Sequence, residues 1–308
     1  MLHGNSVAAI NNQLLKKLDL QRELFSDQYQ SFEINQQHFI YLLHENTTAI
    51  TRGVAVLLAD SGVSVAGQKG FVPLAKEMNK LGWVTIILPA PEIAFMPVAD
   101  EIASTETAEG TDTENPNDTA AMAITSTNTD TNNTDPASNG SITMVDPDSV
   151  DPDINKASVS GIDNRAFLQH EEQLIALLQA AKVKSEDYPG FFLVISQGTS
   201  AAWLSKIYAE KKIDSPDALV TISPYWPDRK FNQLLAQWLA NTPMPVLDLY
   251  NQWDNEWARK TVNAREVAAI RSLKLQYRQR QLLGVDLHQQ DSTYLSKEIY
   301  GWLSHMGW

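Results

Sequence analysis

One stretch decides the fold class of this chain, and it reads GFFLVISQGTSAAW from Gly190 to Trp203. Its first seven residues form an apolar run, which is typical of a strand buried on both faces of a parallel sheet. A helical pattern follows without a loop and continues through Leu204 and Tyr208. The segment therefore predicts a strand that turns directly into a helix, with a sharp bend near Gly198.

The same alternation of apolar runs and helical patterns extends along the chain on both sides of this segment. Strands are predicted at 29–34, 38–45, 53–60, 83–89, 190–196, 217–225, 245–254 and 273–286. The first two are separated by a short polar turn, which indicates an antiparallel pair. The later strands alternate with helices, which predicts a mostly parallel sheet joined by right-handed crossovers and covered by helices on both faces.

The negative charge is concentrated in one internal segment. The chain has a net charge of −13, and residues 92–160 hold 14 acidic residues and one basic residue, Lys156. This segment is rich in Thr, Asp, Asn and Ser, and no aromatic residue lies between Phe95 and Phe167. Such a composition buries too little apolar area to offset its conformational entropy. We predict that 92–160 is a disordered acidic insertion.

This insertion sets the predicted domain organisation. Residues 29–91 and 161–308 are predicted to form a single α/β domain, preceded by a helical or loose segment over 1–28. A basic stretch from Arg259 to Arg280 is interpreted as a solvated helix face followed by an edge strand protected by charge.

Composition also limits the possible functions. The chain has no cysteine, so thiolate catalysis and Cys-ligated zinc are excluded. The acidic balance argues against nucleic acid as a partner, and no apolar run is long enough for a membrane span. The acidic run Asp146–Asn155 lacks the glycine and distal glutamate of a calcium loop, so no metal site is predicted.

No cofactor is predicted either. The loop GVSVAGQKG over Gly62–Gly70 places Gln68 before the lysine, which is the wrong register for a phosphate-binding loop. The N-terminus shows no signal peptide, so we expect a periplasmic protein if the native start lies upstream of Met1 and a cytoplasmic protein otherwise.

The bend at Gly198 resembles the nucleophile elbow of the α/β-hydrolase fold, in which G-x-S-x-G exposes a serine at a helix N-terminus. The five residues aligned with that motif here are Ser196, Gln197, Gly198, Thr199 and Ser200. The nucleophile position is therefore Gly198, which has no side chain. Ser200 and Ser196 are candidates for a displaced nucleophile.

The other two positions of a hydrolase triad are filled. Asp254 follows the predicted strand 245–254, and His288 precedes the last helix, in the chain order that this fold uses for its acid and base. In the same comparison, Ser61 or Gly62 would supply an oxyanion-hole N–H, and Thr199 would line the pocket.

Several phrases resemble one bacterial α/β-hydrolase-like family, the domain of unknown function 3530. They include VLLADSG, LGWVTIILPAPE, FFLVISQGTSA and the run from VTISPYW to PVLDLY, and the most specific part is PVLDLY with the later YRQ and His288. The resemblance covers about 31–308 without the insertion. It implies that Gly198 is inherited, since members carry glycine at the elbow, and that the protein is exported. It implies no reaction.

Together these observations predict an α/β-hydrolase fold without a separate lid domain, because the connection over 226–244 is short. We expect a non-catalytic protein that binds an unknown small molecule or protein at a pocket lined by Gly198, Thr199, Asp254 and His288. The alternative is an ester-type serine hydrolase that uses Ser200 or Ser196 with His288 and Asp254. Whether the protein is an enzyme stays open at this point.

Overall fold

The computed structural model describes residues 29–34, 37–63, 70–91, 96–97, 160–161, 164–282 and 292–308. Ten strands lie within these ranges: β1 (Gln30–Ile34), β2 (Gln37–His44), β3 (Gly53–Leu58), β4 (Trp83–Leu88), β5 (Met96–Pro97), β6 (Ser160–Gly161), β7 (Phe191–Gln197), β8 (Ala218–Ile222), β9 (Val246–Asn251) and β10 (Tyr277–Leu282). The helices there are α1 (Val72–Lys80), α2 (Asn164–Ser185), α3 (Gly198–Ala209), α4 (Arg229–Asn241), α5 (Glu256–Arg271) and α6 (Ser292–His305).

Eight of these strands form one sheet in the order β1-β2-β4-β3-β7-β8-β9-β10. β1 and β2 pair antiparallel, and β2 is also antiparallel to β4. From β4 to β10 every neighbouring pair is parallel. This arrangement confirms the predicted mostly parallel sheet with an antiparallel N-terminal pair. The carboxyl ends of β3, β7, β8 and β9 consequently meet at one edge, where sheets of this kind bind ligands.

The core has two layers because the side chains of each central strand alternate between the two faces of the sheet. On one face Val56, Val194 and Leu219 pack with Trp203 of α3 and Leu235 of α4. On the other face Leu57, Ile195 and Val220 pack with residues of α1 and α6. Burial on both faces explains why these strands read as continuous apolar runs in the sequence.

Three predicted strands extend three or four residues past an end of the observed strand. The predictions 217–225 and 245–254 continue beyond Ile222 and Asn251, where β8 and β9 end. Ser223 has φ +50°, a left-handed conformation that no strand accommodates. At the start of the last strand, Leu273 also has a positive φ, and β10 begins only at Tyr277. Local polar turns end these strands although the sequence still favours β structure.

By its contacts the chain divides into two units, Met1–Val98 with Val159–Trp308, and Ala99–Ser158. At the borders of the predicted insertion, β5 and β6 pair antiparallel, with Pro97 opposite Ser160. The predicted segment 1–28 and residues 98–159 lie outside the described residues. Within the part of the chain that the structure describes, no helix has the length and apolar character needed to cross a bilayer.

One member of the basic stretch is buried rather than solvated. Arg265 of α5 has no exposed side-chain surface, and its Nε lies 2.7 Å from Oδ2 of Asp248 in β9. Tyr277 and Gln279 donate hydrogen bonds to the same carboxylate oxygen. The interpretation of the whole stretch as a solvated face is therefore wrong at this position, because a buried carboxylate across the sheet face supplies the counter-charge.

Candidate functional site

The bend between β7 and α3 has the geometry of a sharp elbow. Gln197 is the last strand residue and is still extended, whereas Gly198 already starts the helix with φ +59°. Glycine adopts this left-handed conformation without a Cβ penalty. The chain thus turns from strand to helix within a single residue, as the sequence predicts.

The space beside Gly198 is occupied by another residue. A Cβ built on Gly198 would lie 2.2 Å from both Cγ and Oδ2 of Asp60, and 2.5 Å from its Oδ1. Asp60 lies two residues after the end of β3, which pairs with β7, so Asp60 and Gly198 approach each other from the ends of neighbouring strands. The carboxylate of Asp60 therefore stands where the side chain of residue 198 would begin.

Asp60 also takes the two backbone N–H groups that face this space. Its Oδ1 accepts hydrogen bonds from the N–H of Thr199 and from the N–H of Ser61, each at 2.8 Å. The hydroxyl of Thr199 donates to the same oxygen at 2.6 Å. A carboxylate thus holds the N–H of the residue after the elbow and an N–H of the loop after β3, the pair that forms an oxyanion hole in a serine hydrolase.

Two side chains of the segment after β8 contact the two carboxylates at this edge of the sheet. The phenol of Tyr225 donates to Oδ2 of Asp60 at 3.1 Å, and two residues earlier the hydroxyl of Ser223 donates to Oδ2 of Asp254 at 2.6 Å. Burial raises the pKa of Tyr225 above its usual value, and the neighbouring Asp60 carboxylate adds to this shift.

Asp254 is fixed in a tight turn after β9. Its Oδ2 also accepts the N–H of Asn251 at 2.7 Å, and its own N–H donates to the carbonyl of Asn251. Burial raises the pKa of Asp254, while the hydrogen bonds from Asn251 and Ser223 act in the opposite direction. The predicted acid position is therefore an ordered, partly buried carboxyl group at the carboxyl end of the sheet.

The family described as "Protein of unknown function (DUF3530)" matches residues 6–305. The chain belongs to this family. A search of curated proteins gave no match.

The DUF3530 chain is similar to solved structures of esterases and related hydrolases. The esterase domain of a Rhodothermus marinus protein is 10% identical with a TM-score of 0.51, over 90% of this chain and 97% of that one. Est1E from Butyrivibrio proteoclasticus is 8% identical with a TM-score of 0.52, covering 90% and 98%. A putative dienelactone hydrolase from Klebsiella pneumoniae is 12% identical with a TM-score of 0.51, covering 90% and 97%. At this identity the likeness shows the α/β-hydrolase fold alone.

The two candidate nucleophiles of the DUF3530 chain are buried. Ser196 lies inside β7 with no exposed surface, and its Oγ has no hydrogen-bond partner among the residues that the structure describes. Ser200 is the third residue of α3 and is 2% exposed. His288, the predicted base, lies outside the described residues. Gly62 is exposed and has φ +84°.

Four residues of this DUF3530 site are not singled out by the sequence: Asp60, Ser223, Tyr225 and Trp253. Tyr225 contacts Asp60, and Ser223 contacts Asp254, across the ends of different strands, so no local motif reveals these contacts. Trp253 directly precedes Asp254 and is 63% exposed. Its backbone N–H donates a hydrogen bond to Oδ1 of Asn251. In the described ranges no three His, Cys, Asp or Glu side chains are arranged to hold a metal ion.

Proposed function

We propose that this protein is a non-catalytic member of the α/β-hydrolase fold that binds a ligand or partner at the carboxyl edge of its sheet. The observation that carries the proposal is the position of the Asp60 carboxylate. It fills the space of the missing nucleophile and accepts both backbone N–H groups of the oxyanion hole.

Serine hydrolysis requires both of the features that Asp60 displaces. The reaction needs a hydroxyl at the elbow and N–H donors aimed at the oxygen that becomes negative in the transition state. Here a developing oxyanion would meet a carboxylate instead of free donors. Charge repulsion and the occupied donors both oppose that transition state, so the arrangement favours binding without acyl transfer.

Burial also argues against the displaced serines. A nucleophile must reach a substrate carbonyl and a base within hydrogen-bond distance. Ser196 has no exposed surface on an inner strand, and Ser200 is nearly as buried. The alternative function, an ester hydrolase using one of them with His288 and Asp254, is favoured only by the placement of Asp254 after β9.

Trp253 supports a binding role. Tryptophan carries a large apolar surface, and tryptophans that contribute strongly to binding are enriched at interfaces. The turn that carries Trp253 is fixed by the hydrogen bonds of Asn251 and Asp254, so the indole is presented to solvent by an ordered backbone. We expect the ligand or partner to contact this indole.

Labelling with a fluorophosphonate probe tests the proposal, together with turnover of short-chain p-nitrophenyl esters. The expected result is no covalent adduct by intact mass and rates equal to those of His288→Ala. An adduct on Ser200 or Ser196, with turnover that His288→Ala abolishes, would establish the hydrolase instead. Ligands are then sought by tryptophan fluorescence in a small-molecule screen, with Trp253→Phe as the matched control.

A further inference from the structure

A cavity lies between the edge strand β10 and helix α6, and none of its lining residues belongs to the bend at Gly198. Its volume is about 230 Å³, and three of its lining side chains are the cations Arg278, Arg280 and Lys297. The cavity is smaller than the roughly 300–1,000 Å³ of pockets for drug-sized ligands, so it suits a small ligand.

The positive charge of this cavity is only partly neutralised. Among the described residues, Glu298 is the one acidic residue that lines it, and its Oε2 lies 3.5 Å from Nε of Arg280. Glu298 also forms a hydrogen bond with Tyr294. Within the described residues Arg278 and Lys297 form no ion pair or hydrogen bond. Three cations and one carboxylate leave a net charge of +2 around the cavity.

The two arginines occupy the strand face that packs against α6. Side chains two residues apart point to the same face of a strand, and Leu282, two positions after Arg280, is buried in the core beside Trp302 of α6. In the sheet, Arg278 stands opposite the buried Leu247 of β9. Both arginines therefore line the cavity from this face of the edge strand, and both remain exposed to solvent.

Gly301 keeps one side of the cavity open. It lies inside α6, where glycine is less favourable than any residue except proline. A Cβ at this position would have no heavy atom within 4 Å, so close packing does not require a glycine. Because Gly301 lines the cavity, a bulky side chain there would narrow it.

We propose that this cavity binds a small phosphate-type oxyanion, either inorganic phosphate or the phosphate group of a small phosphomonoester. The net charge of +2 matches a phosphate dianion, and guanidinium groups bind tetrahedral oxyanions through paired N–H donors. Exposure of the cavity to solvent makes the binding dependent on ionic strength.

Isothermal titration calorimetry of the full chain at low ionic strength tests this site with inorganic phosphate, glycerol 3-phosphate and acetate. We expect phosphate or its ester to bind, with the tighter of the two identifying the source, and acetate to bind at least about tenfold more weakly. Arg278→Gln removes a charge-assisted hydrogen-bond donor and should weaken binding about tenfold or more. Gly301→Leu should weaken binding similarly by filling the cavity.

The matched control is Arg271→Gln, which removes an exposed arginine outside the cavity and should leave the affinity within about twofold. Melting curves by circular dichroism establish that each variant folds. If Gly301→Leu does not fold, the affinity of Arg278→Gln alone tests the site. The proposal is overturned if the wild-type protein binds neither phosphate compound at about 10 mM. It is also overturned if acetate binds equally well, or if Arg271→Gln weakens binding as much as Arg278→Gln does.

Discussion

Gly198 and Asp60 depend on each other at the level of single residues. The positive φ of residue 198 and the carboxylate beside it both oppose a side chain at the elbow. In return, Asp60 accepts hydrogen bonds from the N–H of Thr199 in the first turn of α3 and from the N–H of Ser61 in the loop after β3. Placing a serine at position 198 therefore requires a second substitution, at Asp60.

We expect Gly198→Ser to lower the free energy of unfolding by about 2–4 kcal/mol, from steric overlap with Asp60 and from the left-handed backbone. In the Asp60→Ala background the same substitution should cost at least about 1 kcal/mol less, because the overlap is gone. Urea unfolding of the two single variants and the double variant measures this coupling. Additive effects would contradict the described contact.

His170 gives a prediction about pH. It is buried beside Trp203 at a ring distance of 4.8 Å, and within the described part of the chain its Nδ1 has no hydrogen-bond partner. Burial lowers its pKa to about 4 from the ordinary 6.5. Between these values the unfolded chain binds more protons than the folded protein, so stability falls as the pH falls. The contribution is complete above about pH 6.5 and is lost toward pH 4.

At pH 5 this histidine should lower the free energy of unfolding by about 2 kcal/mol relative to pH 7.5. His170→Gln removes the titrating group while other groups still titrate. Urea unfolding at both pH values should therefore show a pH dependence that is smaller in the variant by that amount. If both proteins lose equal stability on acidification, His170 is not protonated during unfolding.

At the scale of elements, the buried pair of Asp248 and Arg265 connects β9 to α5. Thr221 donates to Oδ1 of Asp248, while Tyr277 and Gln279 donate to its Oδ2. Arg265 also donates to Thr261 and to the carbonyl of Ala258 within its own helix. The carboxylate is thus surrounded by donors from two strands, β8 and β10, and from one helix, α5.

Removing one partner of this pair leaves a buried charge without its counter-ion. We expect Asp248→Leu to lower the free energy of unfolding by about 3–5 kcal/mol, because it removes the carboxylate that pairs with the buried Arg265. Combining it with Arg265→Met should restore at least about 1 kcal/mol. Chemical denaturation of the four proteins in this cycle provides the measurement, and a double variant as unstable as the sum of the singles would show that the charges do not interact.

The strands and their buried charges show why part of the structure could be predicted from the sequence and part could not. Apolar runs such as that of β7 define the strands because burial on both faces leaves no polar position. Arg265 looks like a surface residue in sequence, since its partner Asp248 lies on another element 17 residues away. Asp60 and Thr199 are 139 residues apart, so their contact depends on the strand order β3-β7, which no local pattern encodes. Gly198 and Asp254 could be predicted as site residues because each lies close in sequence to the end of a recognisable strand.

At the scale of the whole molecule, nearly all of the net negative charge lies in one internal segment of the chain. Residues 99–158 carry 13 acidic residues and one lysine, so the chain without them has a net charge of −1 instead of −13. The flanking strands β5 and β6 pair antiparallel, with Pro97 opposite Ser160. This pairing holds Pro97 beside Ser160, a spacing that short hairpin connections can close.

Replacing Ala99–Ser158 by Asn-Gly should therefore leave the α/β domain folded. Closing a two-residue loop costs less entropy than closing one of about sixty residues, by about 3 kcal/mol, so the free energy of unfolding should not fall. Circular dichroism and urea unfolding of the shortened chain, compared with the full chain, measure this directly. A second variant replaces Ala99–Ser158 by a flexible neutral Gly/Ser linker of the same length, which separates the effect of length from that of charge. Loss of cooperative unfolding in both variants would mean that the domain needs the segment to fold.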